Sequence, residues 1–273
     1  MCDIKFYTPP KLSLIYKPAT IFPRNHKKII IIDNDMIFIG GICISNEIKL
    51  WRDTMLEVHD KTIADKARYF LEGNWHKKQA QHAHYNKASD EFDPKNDLLI
   101  HNPDYYKNTL YQKICDKIKN ASTVITICTL YFSIHSQLID LLCDTAPKGV
   151  KINLLLSDYS KYSAYVVGKL QIGKLIQRGV QVYYFKPEMF HLKSIIIDNQ
   201  WCGIGSFNFD SLSIFHNEEI MLISSSSTLI SKLDLHIKDD IKKSIPYCYE
   251  KWGERSMIEK IMGYVIYPFR HYL

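Results

Sequence analysis

Two short stretches of this chain share one arrangement of histidine, lysine and aspartate: His26, Lys28 and Asp33, then His191, Lys193 and Asp198. Imidazole, with an ordinary pKa of about 6.5, attacks phosphorus when neutral and protonates a leaving oxygen when charged. One imidazole cannot do both at once. A pair whose environments differ can supply a nucleophile and a general acid. The lysine beside each histidine adds fixed positive charge, and Ser206 and Asn208 add hydroxyl and amide donors for nonbridging phosphate oxygens. That set does the work a metal would otherwise do, so neither a metal nor a cofactor is expected.

These residues need elements that place them. The two HxKxxxxD stretches are 165 residues apart, and each is followed at the same distance by a pair of small residues, Gly40-Gly41 and Gly205-Ser206. Each is also preceded by an extended segment ending in proline, residues 3–9 and 181–187. Apolar runs at 28–32 and 193–197, polar turns at Asp33-Asn34-Asp35 and Asp198-Asn199-Gln200, and renewed apolar runs predict strand, turn and strand in each copy. Residues two apart on a strand share a face, so His26 is expected to project with Lys28, His191 with Lys193, and Ser206 with Asn208. Asp33 and Asp198, at strand ends, are expected to anchor turns rather than move protons. Two copies imply a pseudo-twofold arrangement around one site.

Between the copies, residues 74–97 are polar and read as a loop or linker. Its His76, His82 and His84 lack acidic or cysteine partners at metal-ligand spacing, so a solvated loop is the better reading. After it come a helical stripe over 105–120, a strand at 123–130, a helix at 137–145, a strand at 150–156, a helix at 161–177 and the strand leading to His191. That alternation indicates an α/β sheet.

The net charge of +6 favours phosphate-bearing partners, whether nucleic acid or an anionic lipid surface. Seven scattered cysteines with no CxxC pair point to neither a disulfide framework nor a zinc site, which fits a reducing, cytoplasmic compartment. No window reaches the roughly 18 apolar residues of a spanning helix, so membrane contact is expected to be peripheral. A C-terminal helix with Met257, Ile258, Ile261, Met262 and Val265 on one face, and basic residues around it, suits a bilayer surface or, equally, packing on the core.

The paired motifs resemble those of the phospholipase D superfamily, and within it the chain is most similar to bacterial cardiolipin synthases. The likeness rests on Arg24-Asn25-His26-Lys27-Lys28, Trp51-Arg52-Asp53-Thr54, Asn102-Pro103, Thr129-Leu130-Tyr131-Phe132, Gly205-Ser206-Phe207-Asn208-Phe209-Asp210 and Asn217-Glu218-Glu219. It implies a pseudo-twofold α/β fold of two sheet-and-helix lobes, a truncated first repeat plus linker over 1–97 and a second repeat with its C-terminal amphipathic helix over 98–273. It also implies a phosphatidyltransferase acting on anionic phospholipid through a phosphohistidine, with Asp53 and Glu219 orienting the histidine rings. Two departures concern the site: Cys43 stands where the family has asparagine, and Leu212 where it has arginine. His26 lies close to the start of the sequence, so the first lobe is expected to be completed by a second copy or by a separately encoded N-terminal segment. The alternatives are a nuclease or phosphodiesterase of the same superfamily, which makes nucleic acid the runner-up partner, and an inactive fragment.

Overall fold

The computed structural model describes residues 24–75, 95–101, 109–133, 136–158 and 162–272. The first half contains β1 (Arg24–Asn25), β2 (Ile29–Ile32), β3 (Met36–Gly40), β4 (Met55–His59), α1 (Lys61–Trp75) and β5 (Asn96–His101). The second begins with α2 (Thr109–Lys119), β6 (Val124–Thr129), β7 (Phe132–Ser133), α3 (Ser136–Thr145), β8 (Lys151–Ser157), α4 (Tyr162–Gln177) and β9 (Gln181–Phe185). It continues with β10 (Ser194–Ile197), β11 (Trp201–Gly205), β12 (Phe209–Asp210), α5 (Ser211–Phe215), β13 (Asn217–Ser224) and α6 (Ser227–Lys242). The last elements are β14 (Ser244–Tyr247), α7 (Tyr249–Gly253), α8 (Met257–Ile266) and a 3-10 turn, Tyr267–Tyr272.

Seven strands run side by side in the order β13-β11-β10-β6-β8-β9-β14, and the free edge of β13 is shared by β1, parallel at its start, and β5, antiparallel along the rest. The parallel strands β6 and β8 are nearly continuous apolar runs because helices cover both faces of the sheet. One core lies under α2, α3 and α4, and a second is closed by Ile230, Leu233 and Ile237 of α6. Strands β2, β3 and β4 form a separate antiparallel sheet. A third core joins the two lobes, with Ile37, Ile39 and Ile63 packed on Leu98, Ile220 and Leu222.

The two motif stretches lead into matching hairpins. At an offset of 165 the β2–β3 hairpin becomes β10–β11. Beyond it the offset is 166, since Gly40 pairs with Met55 and Gly205 with Met221, so the second copy holds one extra residue before its third strand. The helices that follow are also equivalent, capped by the side chains of Asp60 and Ser226 through the amides of Ile63 and Leu229. In both copies the strand after the hairpin passes so close that a Cβ on Gly40 or Gly205 would collide with the carbonyl oxygen of Thr54 or Ile220. Glycine is required there for that approach.

Three expectations need correction. Neither His26–Lys28 nor His191–Lys193 belongs to the hairpin strands; both lie just before them, in extended backbone whose amides bond to the opposite lobe. Ser206 and Asn208 likewise follow β11 rather than lying on it. The stretch assigned to the linker ends in a strand: β5 begins at Asn96 and pairs with β13 from Ser224 to Glu219, its polar start masking a short apolar run. The expected segment 3–9, the histidines of the linker and Asn102-Pro103 lie outside the described residues, and the helix expected over 105–120 is described from Thr109.

The aspartates ending the motifs behave differently. Asp33 and Asp198 both adopt left-handed backbone, with φ of 51° and 55°. Asp198 accepts the backbone amides of Ser122, Thr123 and Val124 and the hydroxyls of Ser122 and Thr123, at 2.8–3.0 Å. Burial pushes its carboxyl up, but those amides and the Thr123 hydroxyl outweigh this and hold it well below the ordinary range. At Asp33 the tie runs through the backbone, Arg68 Nη2 donating to its carbonyl at 2.6 Å. Charge-assisted hydrogen bonds of this kind contribute about 2 kcal/mol, so Asp198→Asn is expected to destabilise the fold by roughly that much and Asp33→Asn by less than about 0.5 kcal/mol. A depressed folded pKa stabilises above the unfolded value and is lost as pH falls through the folded one, so the gap between Asp198→Asn and the parent should begin to narrow below about pH 4. Urea unfolding at pH 7 and pH 3 measures both; equal losses at the two aspartates would refute the assignment.

Candidate active site

The motif histidines meet at the boundary of the two lobes, each held by the opposite one. The His26 amide donates to the Glu218 carbonyl at 2.9 Å, and its ring Nδ1 lies 2.9 and 3.0 Å from the two oxygens of Glu219. The His191 amide donates to the Arg52 carbonyl at 2.8 Å, and its Nδ1 lies 2.5 Å from Asp53 Oδ2. With Nδ1 bound to a carboxylate, Nε2 is the ring nitrogen left for chemistry. The His26 side chain is 29% exposed and that of His191 only 9%, so the two imidazoles occupy different environments. The Trp51 ring packs against His191 with centroids 5.0 Å apart.

Burial pulls the His191 pKa down to about 4; the Asp53 hydrogen bond opposes this, and Lys193 and Lys28 reinforce it. The ring is therefore neutral at pH 7. Glu219 is fully buried; burial pushes its carboxyl up, but the His26 charge, hydrogen bonds from His26 and Ser206, and Lys28 hold it below its ordinary value. It also accepts the Ser213 hydroxyl at 2.7 Å. The Ser206 hydroxyl is directed at Glu219, an orienting role, whereas the buried Asn208 amide oxygen has no hydrogen-bond partner among the described residues.

The two lysines lie beneath the histidines, Lys28 Nζ donating to the His26 carbonyl at 2.7 Å and Lys193 Nζ to the His191 carbonyl at 2.5 Å. Burial lowers both pKa values, bringing Lys193 to about 7, where Asp53 opposes the shift and Lys28 adds to it. Two ammonium groups that repel each other, one half-buried and one buried, make a site prepared for an anion. A bound dianion should draw Lys193 back to full protonation. Sulfate binding at pH 8 is therefore expected to take up close to one proton, and the uptake should vanish in Lys193→Met. Titration calorimetry in buffers of different ionisation enthalpy reads this directly, and binding without uptake would contradict it.

Of the residues the sequence pointed to, the structure brings His26, Lys28, Asp53, His191, Lys193, Ser206 and Glu219 together and leaves Asp33 and Asp198 at the hairpin turns. The sequence reading missed Trp51, Arg52, Ser213 and Glu218 as contacts of the histidines or their carboxylates, and Lys27 and Asp240, which pair with Glu218 and Arg52. It also missed Asp210, whose buried carboxyl caps α5 through the Ser213 amide and is pushed up to about 7 by burial. A charged residue beside each orienting acid, Arg52-Asp53 and Glu218-Glu219, was the available signal. Among the described residues no cluster of histidine, cysteine and acidic side chains has the makings of a metal site.

Residues 114–241 match the family model described as cardiolipin synthase, PLD-like domain. The chain is 26% identical over 251 residues to the major cardiolipin synthase ClsA of Bacillus subtilis (strain 168), covering 86% of this chain and 51% of that protein. A cardiolipin synthase of Listeria monocytogenes is 24% identical over 267 residues, covering 93% of this chain and 55% of the relative. The chain thus spans about half the length of the curated relatives it matches. Phosphatidylserine synthase of Haemophilus influenzae Rd KW20 shares the fold, with a TM-score of 0.72 at 13% identity over 93% of this chain and 72% of that one. The chain has the phospholipase D fold, and its sequence is similar to those of cardiolipin synthases.

Proposed function

We propose, for this chain of phospholipase D fold, that it transfers a phosphatidyl group between phospholipids through a phosphohistidine. One observation carries the reading: two imidazoles with Nδ1 fixed on carboxylates stand beside two lysines, Lys28 half-buried and Lys193 buried, at one site. In the first step Nε2 of one histidine attacks the phosphodiester phosphorus. A P–N bond forms, the P–O bond to the departing alcohol breaks, and the second histidine gives that oxygen a proton. In the second step an acceptor alcohol returns a proton to the second histidine as its oxygen attacks phosphorus, and the P–N bond breaks. Lys28 and Lys193 offset the charge gathering on the nonbridging oxygens. His191, neutral above about pH 4, is in the state an attacking imidazole needs.

Lipid mass spectrometry after incubation with phosphatidylglycerol vesicles, beside a plasmid-nicking assay, tests the reading. Cardiolipin and glycerol are expected, with the phosphoryl adduct located on His26 or His191 by peptide mapping. Phosphatidate with no transfer product would make the chain a hydrolase. Nicked plasmid with untouched lipid would replace the reading with nuclease activity.

Peripheral contact with the cytoplasmic face of a membrane belongs to the same proposal. Met257, Ile258, Ile261, Tyr264 and Val265 of α8 and Phe269 beyond it are 55–72% exposed, whereas Gly263 on the other side packs against Leu170 of α4. Among the described residues no helix is long and apolar enough to cross a bilayer. Each side chain buried in lipid contributes about 1–2 kcal/mol, so Ile258→Glu with Ile261→Glu should weaken vesicle binding at least about tenfold. Co-sedimentation with anionic vesicles measures it, and unchanged binding would remove α8 from the interface.

A further inference from the structure

We infer that two ion pairs, the half-buried Arg52–Asp240 and the buried Lys27–Glu218, act as latches that keep each carboxylate in register with the histidine of the opposite lobe. The inference rests on the two-histidine reading of the site. In both repeats the residue whose carbonyl takes the histidine amide directly precedes the residue whose carboxylate takes Nδ1: Arg52 before Asp53, and Glu218 before Glu219. A slip of one residue would carry each carboxylate to the other side of its backbone and leave the imidazole without it.

The backbone specifies this register weakly. Trp51 to Thr54 touch the second lobe through an isolated bridge between Arg52 and Phe190, made by two hydrogen bonds, Arg52 N to Met189 O at 2.9 Å and His191 N to Arg52 O at 2.8 Å. On the other side β1 is two residues long. Side chains of the same residues supply what the ladders lack. Arg52 Nε and Nη2 reach the two carboxylate oxygens of Asp240 on α6, at 2.9 and 2.8 Å, and Nη1 turns back to the Asp53 carbonyl at 3.0 Å. Glu218, at the equivalent position, pairs with Lys27, and both side chains are at most 4% exposed.

Such pairs are poor sources of stability, because desolvating two charges offsets most of their attraction; specifying register is their better-attested use. The charges are also opposite in the two copies, Arg52 facing an acid and Glu218 facing a base, so neither segment can dock in the other's place without a like-charge contact. None of these four residues is proposed to touch substrate. They are positioning residues that act through Asp53 and Glu219.

The test uses the full chain with 15N-labelled histidine, in which the two imidazole Nδ1–H protons bound to carboxylates give separate downfield resonances. Asp240→Asn is expected to shift or broaden the His191 resonance and spare that of His26, and Glu218→Gln to do the reverse. A displacement near 1 Å costs about 100-fold, so kcat in each variant should fall by about 10- to 100-fold with KM little changed. The inverted pair Arg52→Asp with Asp240→Arg should recover part of the His191 signal and part of kcat, which a folding defect would not do. Resonances unmoved in both single variants, or an inverted pair no better than Asp240→Asn, would overturn the inference. The resonances need no substrate, so a chain inactive on phospholipid whose signals respond as described would keep the latches and lose only the lipid reading.

Discussion

Replacing either His26 or His191 with alanine is expected to reduce phosphatidyl transfer at least about 1,000-fold, and replacing both to cost little more than replacing one. The two rings differ in exposure and share one site, with two lysines between the carboxylates that hold them. A nucleophile without a proton donor must expel an alkoxide, and a donor without a nucleophile has no covalent intermediate to make. Each loss alone therefore removes the same transition state. His26→Ala also frees the buried Glu219 from its largest compensating charge, so the comparison needs circular dichroism and a melting curve beside the rate. Transfer in either variant at more than a few per cent of the parent rate would end the two-histidine mechanism.

The repeat that supports this prediction was legible in the sequence because it rests on spacing, and spacing survives folding: an offset of 165 relates both motifs and both hairpins. The alternation of strands and helices from Thr123 onward was legible too, since β6 and β8 are apolar runs buried on both faces and α3 lies between them. The exchange of carboxylates between lobes could not be read from the residues alone. Which backbone lies beside His26 is decided by a two-residue parallel pairing with Asn217 and Glu218, a contact 193 positions distant that leaves no local pattern. The same holds for Arg52, whose partner Asp240 sits in an amphipathic helix where one more acid looks like solvated surface. Strand β5 was missed because its polar first residues continue a polar stretch, and only Leu98, Leu99 and Ile100 of the six residues that pair with β13 are apolar. Extended backbone before a hairpin was mistaken for the hairpin because both satisfy a period of two; what separates them is hydrogen bonding to the other lobe.

Asp53→Asn and Glu219→Gln should both lower kcat by about 100- to 10,000-fold, for one shared reason and one that differs. The shared reason is the tautomer. A carboxylate can only accept, so it fixes the proton on Nδ1 and leaves Nε2 with its lone pair; an amide can also donate to Nδ1, which moves the proton to Nε2 and removes the nucleophile. The difference lies in the surroundings. Asp53 is nearly buried and also accepts the Thr54 amide at 2.7 Å, so asparagine keeps one of its partners. Glu219 is fully buried and accepts from His26, Ser206 and Ser213, so glutamine would turn an amide group toward donors with no acceptor to give them. That conflict is worth about 2–3 kcal/mol, and Glu219→Gln should therefore lose stability as well as rate, whereas Asp53→Asn should lose mainly rate. The pH dependence separates a tautomer effect from misfolding. The Asp53 hydrogen bond opposes the burial that pulls His191 down to about 4, so without it the imidazole becomes still harder to protonate. Activity lost in Asp53→Asn should consequently not return between pH 7 and pH 5. The measurement is the ratio of parent to variant kcat across that range, together with both melting temperatures. A ratio that shrinks toward one as pH falls, or an Asp53→Asn chain as destabilised as Glu219→Gln, would mean that the carboxylates brace the fold rather than set the tautomer.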